Sequence, residues 1–150
     1  MSIREILAAK KSVEVYSIAP DQFVHEAVAL MTRHDIGSLV VKEDGKMIGL
    51  LTDRHLVRGL SKAKCNLCDT LVRDVMVVSP IVGHPEDSVD QVRQVMTENH
   101  ISHLPVVDEN GLMGIISFYD VARSALSNVE FENKLLKRYI KDWPEGEAGA

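Results

Sequence analysis

Ser117 and Asp120 stand three residues apart in "GIISFYDVAR" (114–123), a hydroxyl and a carboxylate separated by about one helical turn. In "GLLTDRHLVR" (49–58) Thr52 keeps the hydroxyl, but His55 takes the place of the carboxylate. At its plainest such a pair is a capping box, in which the hydroxyl caps a helix and the acid reaches back to the cap's own N–H. Where the turn opens into a cleft the same pair can do more. A half-buried carboxylate can accept both hydroxyls of a cis-diol, each charge-assisted bond being worth about 1.5–3 kcal/mol. The free N–H groups of the helix start favour an anion beside it. An imidazole cannot accept two hydroxyls. Asp53 is a poor substitute, because it faces about 200° around the helix from His55. Losing one such acceptor, at about 2 kcal/mol, predicts about thirtyfold weaker diol binding at the Thr52 turn, which leaves three readings open: an empty cleft, a preference for another ligand, or Arg54 used mainly for phosphate.

Other chemistry-bearing residues carry weaker signals. Cys65 and Cys68 form a lone CxxC, short of the four ligands a structural zinc needs and without a thioredoxin-like surrounding. A redox or metal switch there is kept as an alternative. His100 and His103 in "HISH" fit a solvent-facing turn or ligand contact as well as a metal fragment.

The elements that must position these residues are written twice. An offset of 65 residues pairs Pro20 with Pro85, Val24 with Val89, Met31 with Met96, Ile36 with Ile101, Leu39 with Leu104, Gly49 with Gly114 and Arg58 with Arg123, without a gap. Each copy begins with a short β-branched run ("VEVYSI", "PIVG") and a proline turn, followed by a helical pattern in which Val24, Ala27, Val28 and Met31 recur. Buried-strand runs ("IGSLVV", "ISHLPVV"), turns on "EDGK" and "ENG", partner strands and closing helices complete the order β-α-β-β-α. The predicted fold is α/β (α+β): copy 1 over 4–64, a linker at 65–70, copy 2 over 71–127, and a C-terminal helix and tail over 128–150. A half of about 60 residues buries too little surface to stand alone. The copies are therefore expected to pack sheet to sheet about a pseudo-twofold axis, leaving two equivalent clefts.

Composition narrows the class. With 150 residues, 45% of them hydrophobic, the chain can bury a sizeable core. Seventeen basic residues against 22 acidic ones give a formal charge of −5, and with no basic stripe interleaved with aromatics nucleic acid is not the expected main partner. The first dozen residues suit neither a signal peptide nor a spanning segment, and two cysteines fit a reducing compartment, so a cytoplasmic protein with no membrane association is expected. No nucleophile elbow, Walker loop, catalytic carboxylate pair or triad order is present, and no enzymatic activity is expected.

The ordered motifs of residues 4–127 resemble a tandem pair of cystathionine-β-synthase-type (CBS) domains, and "NKLLKRYI" resembles the helical tail of small stand-alone bacterial proteins of that kind. The resemblance implies an adenosine-containing ligand in each cleft, such as AMP, ADP, ATP, NAD or S-adenosylmethionine, and no required cofactor. It places Lys11, Tyr16, Ile36, Gly37, Ser117 and Asp120 in one cleft, with Asp120 on the ribose hydroxyls. Thr52, Arg54, His55, Ile81, Ile101, Ser102 and Pro105 fall in the second, weaker cleft. It further implies a regulatory, ligand-sensing module acting on a protein the sequence does not name. Leftover apolar helix faces, with the helix predicted at 128–142, point to a homodimer. A ligand-free structural dimer is the rival expectation.

Overall fold

The computed structural model describes residues 1–10, 14–62, 66, 68–125 and 133. Lys11, Cys65 and the predicted C-terminal helix lie outside them. The described elements run α1 (Ile3–Ala9), β1 (Ser17–Ile18), α2 (Val24–His34), β2 (Ser38–Glu43), β3 (Lys46–Thr52), α3 (Asp53–Lys62), a single 3-10 turn (Val72–Asp74), β4 (Val77–Val78), α4 (Val89–Glu98), β5 (His103–Asp108), β6 (Gly111–Ser117) and α5 (Phe118–Ala125). The duplication survives in detail. Both hairpins carry a register shift at the same relative place, Val41/Lys42 in β2 and Val106/Val107 in β5. Asp35 and His100, equivalent residues after α2 and α4, both adopt a left-handed backbone, with φ of 51° and 53°.

Local chemistry explains the helix starts. The Phe23 N–H donates to Glu26 Oε2 at 2.8 Å ahead of α2, and a full capping box opens α4, with Ser88 Oγ accepting from the Gln91 N–H at 3.1 Å and Gln91 Oε1 from the Ser88 N–H at 3.0 Å. Val24, Ala27 and Met31 point inward from α2, as their spacing predicts.

The two sheets are not equal. Four strands pair in the order β1-β2-β3-β4, with β1–β2 parallel and the other pairs antiparallel, whereas β5 and β6 form a two-stranded sheet. The strand predicted from "PIVG" is reduced to a single parallel bridge between Gly83 and Val106. Pro80 has no N–H to give a ladder, and Gly83 brings no side chain to pack, so the β-branched content of the run is not enough.

The lead-in segments change places. Ile3, Ile6 and Leu7 of α1 are buried not with the first copy but with Val89, Val92, Met96, Leu104, Val106, Ile116 and Val121 of the second. The Ile3 N–H donates to the Asp87 carbonyl and the Arg4 N–H to that of Pro85, each at 3.0 Å. Reciprocally, Val72 of the 3-10 turn is buried in the first copy's core with Ile18, Val24, Leu39, Val41, Leu51 and Leu56. Backbone bonds to Pro20 and Gln22 hold that turn there. Gly49 makes the exchange possible, since a Cβ there would stand 2.7 Å from the Val77 carbonyl oxygen and 2.9 Å from Met76 Sδ. Each copy thus completes its core with the other's lead-in, and this exchange couples the halves.

Candidate functional site

Two clefts open where the last helix of one copy meets the loop before the first long strand of the other. The first has a volume of about 230 Å³, and its walls include Lys10, Glu14, Tyr16, Ile36, Gly37, His103, Ile115 and Ser117. The second, of about 240 Å³, is walled by Thr52, Arg54, His55, Arg58, Ile81, His100, Ile101, Ser102 and His103 among others. Both fall below the usual volume of ligand cavities, which run from about 300 Å³ upward.

In the first cleft the structure brings together Tyr16, Ile36, Gly37 and Ser117 as predicted. Asp120 stands just behind the wall. Its Oδ2 accepts the Ser117 N–H at 2.8 Å, while its own N–H donates to Ser117 Oγ at 3.1 Å, so the capping box is complete. Lys10 Nζ lies 3.1 Å from the same Oδ2 and donates to the Ile115 carbonyl at 2.7 Å. Among the described residues both contacts fall on Oδ2. Lys10 was not singled out in the sequence, where the resemblance points to Lys11. The helix α1 ends at Ala9 and Lys10 is already extended, with φ −69° and ψ 134°, so its side chain leaves the helix and turns to β6. Tyr16 stacks on His34, ring centroids 3.9 Å apart, and donates to Glu14 Oε2 at 3.1 Å, so its ring is held within its own copy.

Gly37 sits at a close approach. A Cβ there would lie 3.2 Å from His103 Cε1 and 3.4 Å from Asp53 Oδ2. Its carbonyl accepts the Asp53 N–H at 3.1 Å, and the equivalent Ser102 carbonyl accepts the Phe118 N–H at 2.8 Å. Each cleft loop is in this way tied to the start of its own copy's closing helix.

The second cleft gathers Thr52, Arg54, His55, Ile81, Ile101 and Ser102 as predicted, and adds Arg58 and His100. Pro105 is a correction: it is buried in β5 opposite Ile115, its carbonyl accepts the Gly83 N–H at 2.8 Å, and it does not line the cleft. Its strand neighbours Leu104 and Val106 face the second copy's core and Pro105 alternates with them, while Ser102 and His103 edge the opening. His55 replaces the acid in the capping box. The Thr52 N–H donates to its Nδ1 at 3.0 Å, and its own N–H reaches Thr52 Oγ1 at 3.4 Å. Arg54 donates to the His100 carbonyl at 2.5 Å.

His103 lines both clefts; its counterpart in the first copy is Ser38. Sequence periodicity marks it as a strand residue, and only the packing of the two copies puts it between two openings. Burial is the main cause holding both His55 and His103 below the ordinary imidazole range; Arg58 and Arg54 add to it at His55, and Lys10 at His103, while Asp53 opposes it at both and Asp120 at His103. In the unfolded chain these rings take up protons as pH falls through about 6.5, while the folded ones resist. The unfolded state then binds more protons, so stability is expected to fall as pH drops from about 6.5 towards the lower folded values. Urea midpoints measured between neutral and mildly acidic pH check this, and His103→Ser should flatten the slope.

Among the described residues no group of three or more His, Cys, Asp or Glu side chains could hold a metal ion, and Cys68 is a free, exposed thiol. No described helix is long and apolar enough to cross a membrane.

Duplicated halves, exchanged lead-ins and paired clefts at helix starts define a tandem pair of α/β motifs, and comparison with known proteins gives the family. The CBS domain model matches residues 3–62 and 72–127, and the chain belongs to that family. The CBS domain-containing protein YhcV of Bacillus subtilis is 34% identical over 118 residues, 78% of this chain and 83% of that protein. A CBS-domain protein from Burkholderia ambifaria superposes with a TM-score of 0.81 at 29% identity, covering 85% of this chain and 96% of the other. An inosine-5'-monophosphate dehydrogenase from Korarchaeum cryptofilum is 33% identical over 72% of this chain, but the match takes in only 22% of that enzyme. That likeness is to the enzyme's CBS part alone.

Proposed function

We propose that the chain is a ligand-sensing module whose Asp120 cleft binds an adenosine-containing nucleotide and whose His55 cleft binds the same ligands more weakly. The observation that carries this reading is the inequality of two otherwise equivalent helix starts. One presents a carboxylate beside Ser117 and Lys10, and the other presents an imidazole. A ribose diol needs acceptors, Lys10 can meet phosphate, and Ile36 and Ile115 supply apolar wall for a base. A CBS domain pair with a TM-score of 0.72 to this chain, 24% identical, was crystallised with 5'-methylthioadenosine and S-adenosyl-L-methionine, which supports adenosine as the shared group.

A ligand gripped between the copies favours one of their relative arrangements by its difference in affinity for them, and a partner protein reads the shift. A homodimer in the cytoplasm completes the reading. Val57 on α3 and Phe118 and Tyr119 on α5 are large apolar side chains left exposed, which supports burial against a second copy.

Titration calorimetry with AMP, ADP, ATP, NAD and S-adenosylmethionine tests the ligand class. At least one is expected to bind saturably and to raise the melting temperature. No heat and no thermal shift with any of them at millimolar concentration would leave the ligand-free structural dimer as the function.

A further inference from the structure

We propose that the His55 cleft selects a nucleotide whose ribose carries a phosphate at the 2' or 3' position, in place of the free diol. The inference rests on the adenosine reading above and names a different ligand class for this cleft.

The Thr52 N–H donates to His55 Nδ1 at 3.0 Å, so Nδ1 is the acceptor nitrogen and Nε2 carries the ring proton. The ring lines the cleft. Where the other cleft offers a carboxylate oxygen, this one offers an N–H donor. Arg54 and Arg58 flank it, four residues apart on one face of α3, and both line the same opening. One Arg54 donor is fixed on the His100 carbonyl at 2.5 Å, which holds that guanidinium at the rim. Among the described residues lining this cleft there is no Asp or Glu.

The charged side chains and the imidazole Nε2 of this cleft are donors, so a free diol finds no carboxylate there to take its two hydroxyl protons. A phosphomonoester has no such difficulty, since its oxygens accept from imidazole and guanidinium together. The same exchange separates dinucleotide sites, where an acid binds the 2'-hydroxyl and an arginine the 2'-phosphate. A bare helix start does not account for the difference. The Asp120 cleft has an equivalent one, and there Phe118 and Tyr119 occupy the positions of Asp53 and Arg54.

The test uses the full chain carrying Asp120→Ala, which confines strong binding to the His55 cleft, titrated with AMP, adenosine 2',5'-bisphosphate, adenosine 3',5'-bisphosphate and pyrophosphate. One bisphosphate is expected to bind about ten- to a hundredfold more tightly than AMP, the gain of one charge-assisted contact or two. The two bisphosphates separate the 2' from the 3' position. Adding His55→Asp, which restores the usual acid of the capping box, should reverse the order. Bisphosphates no tighter than AMP, or pyrophosphate as tight as the better bisphosphate, overturn the proposal. If the unmutated chain binds AMP while the Asp120→Ala chain shows no bisphosphate preference, this inference alone fails. If the unmutated chain binds none of the four compounds and none of ADP, ATP, NAD and S-adenosylmethionine, the adenosine reading fails with it; if it binds one of those but none of the four, this inference alone fails.

Discussion

Replacing Asp120 by Ala is expected to weaken adenine nucleotide binding at its cleft by about thirtyfold, the cost of one charged acceptor worth about 2 kcal/mol. The side chain also closes the capping box on Ser117 and holds Lys10, so some stability is lost as well, on the order of 1 kcal/mol for the cap. Asp120→Asn separates the two effects. An amide oxygen can still accept the Ser117 N–H, but the charge that strengthens a bond from a ribose hydroxyl is gone. Calorimetry should therefore show most of the affinity loss in both variants, while urea midpoints show the larger stability loss in Ala alone. Affinity retained in both would remove Asp120 from the ligand. His55→Asp in the otherwise unmutated chain is the converse experiment, since it gives the second cleft the acceptor that the first one has.

The largest effect on stability is expected far from either cleft, at Ile3. Its side chain is fully buried, in the core of the copy it does not belong to by sequence. Ile3→Ala removes methylene groups from a packed interior and leaves a cavity, at a cost of about 2–5 kcal/mol. For a chain of this length each kcal/mol lowers the melting temperature by about 2–4 °C. Location matters more than size. Hydrogen exchange should lose protection first in β5, β6 and α4, whose core α1 completes, and later in β2 and β3. Loss beginning instead in β2 and β3 would contradict the exchanged lead-ins. Leu7 belongs to the same core and also lines the Asp120 cleft beside Lys10, so the segment that stabilises the second copy also carries a wall of the ligand site.

Much of this architecture is legible in one dimension because its causes are local or repeated. The 65-residue offset needs only matching residue types, and the α2 pattern Val24, Ala27, Met31 needs only the period of a helix. The turns at Thr52 and Ser117 announce themselves by hydroxyl and spacing. Six of the seven residues assigned to the second cleft line it, since they sit on the same recurring turns. Pro105 does not, being buried within β5 two residues beyond His103, and how deep a strand residue sits is set by what packs on the strand. The "PIVG" strand fails for a related reason: a β-branched run forms a strand only if its backbone groups find partners, and Pro80 and Gly83 limit that to one bridge.

By itself, then, the sequence determined the duplication, the order of elements, the capped helix starts and the substitution of His55 for an acid. These depend on residue type and on distances of a few positions along the chain. Only the tertiary structure decided which lead-in completes which core, that Lys10 pairs with Asp120, and that His103 lies between both clefts. The physical reason is common to all three. Each is a contact between segments far apart in the chain, made because neither half can bury its core alone, and neither periodicity nor spacing records where such a contact falls.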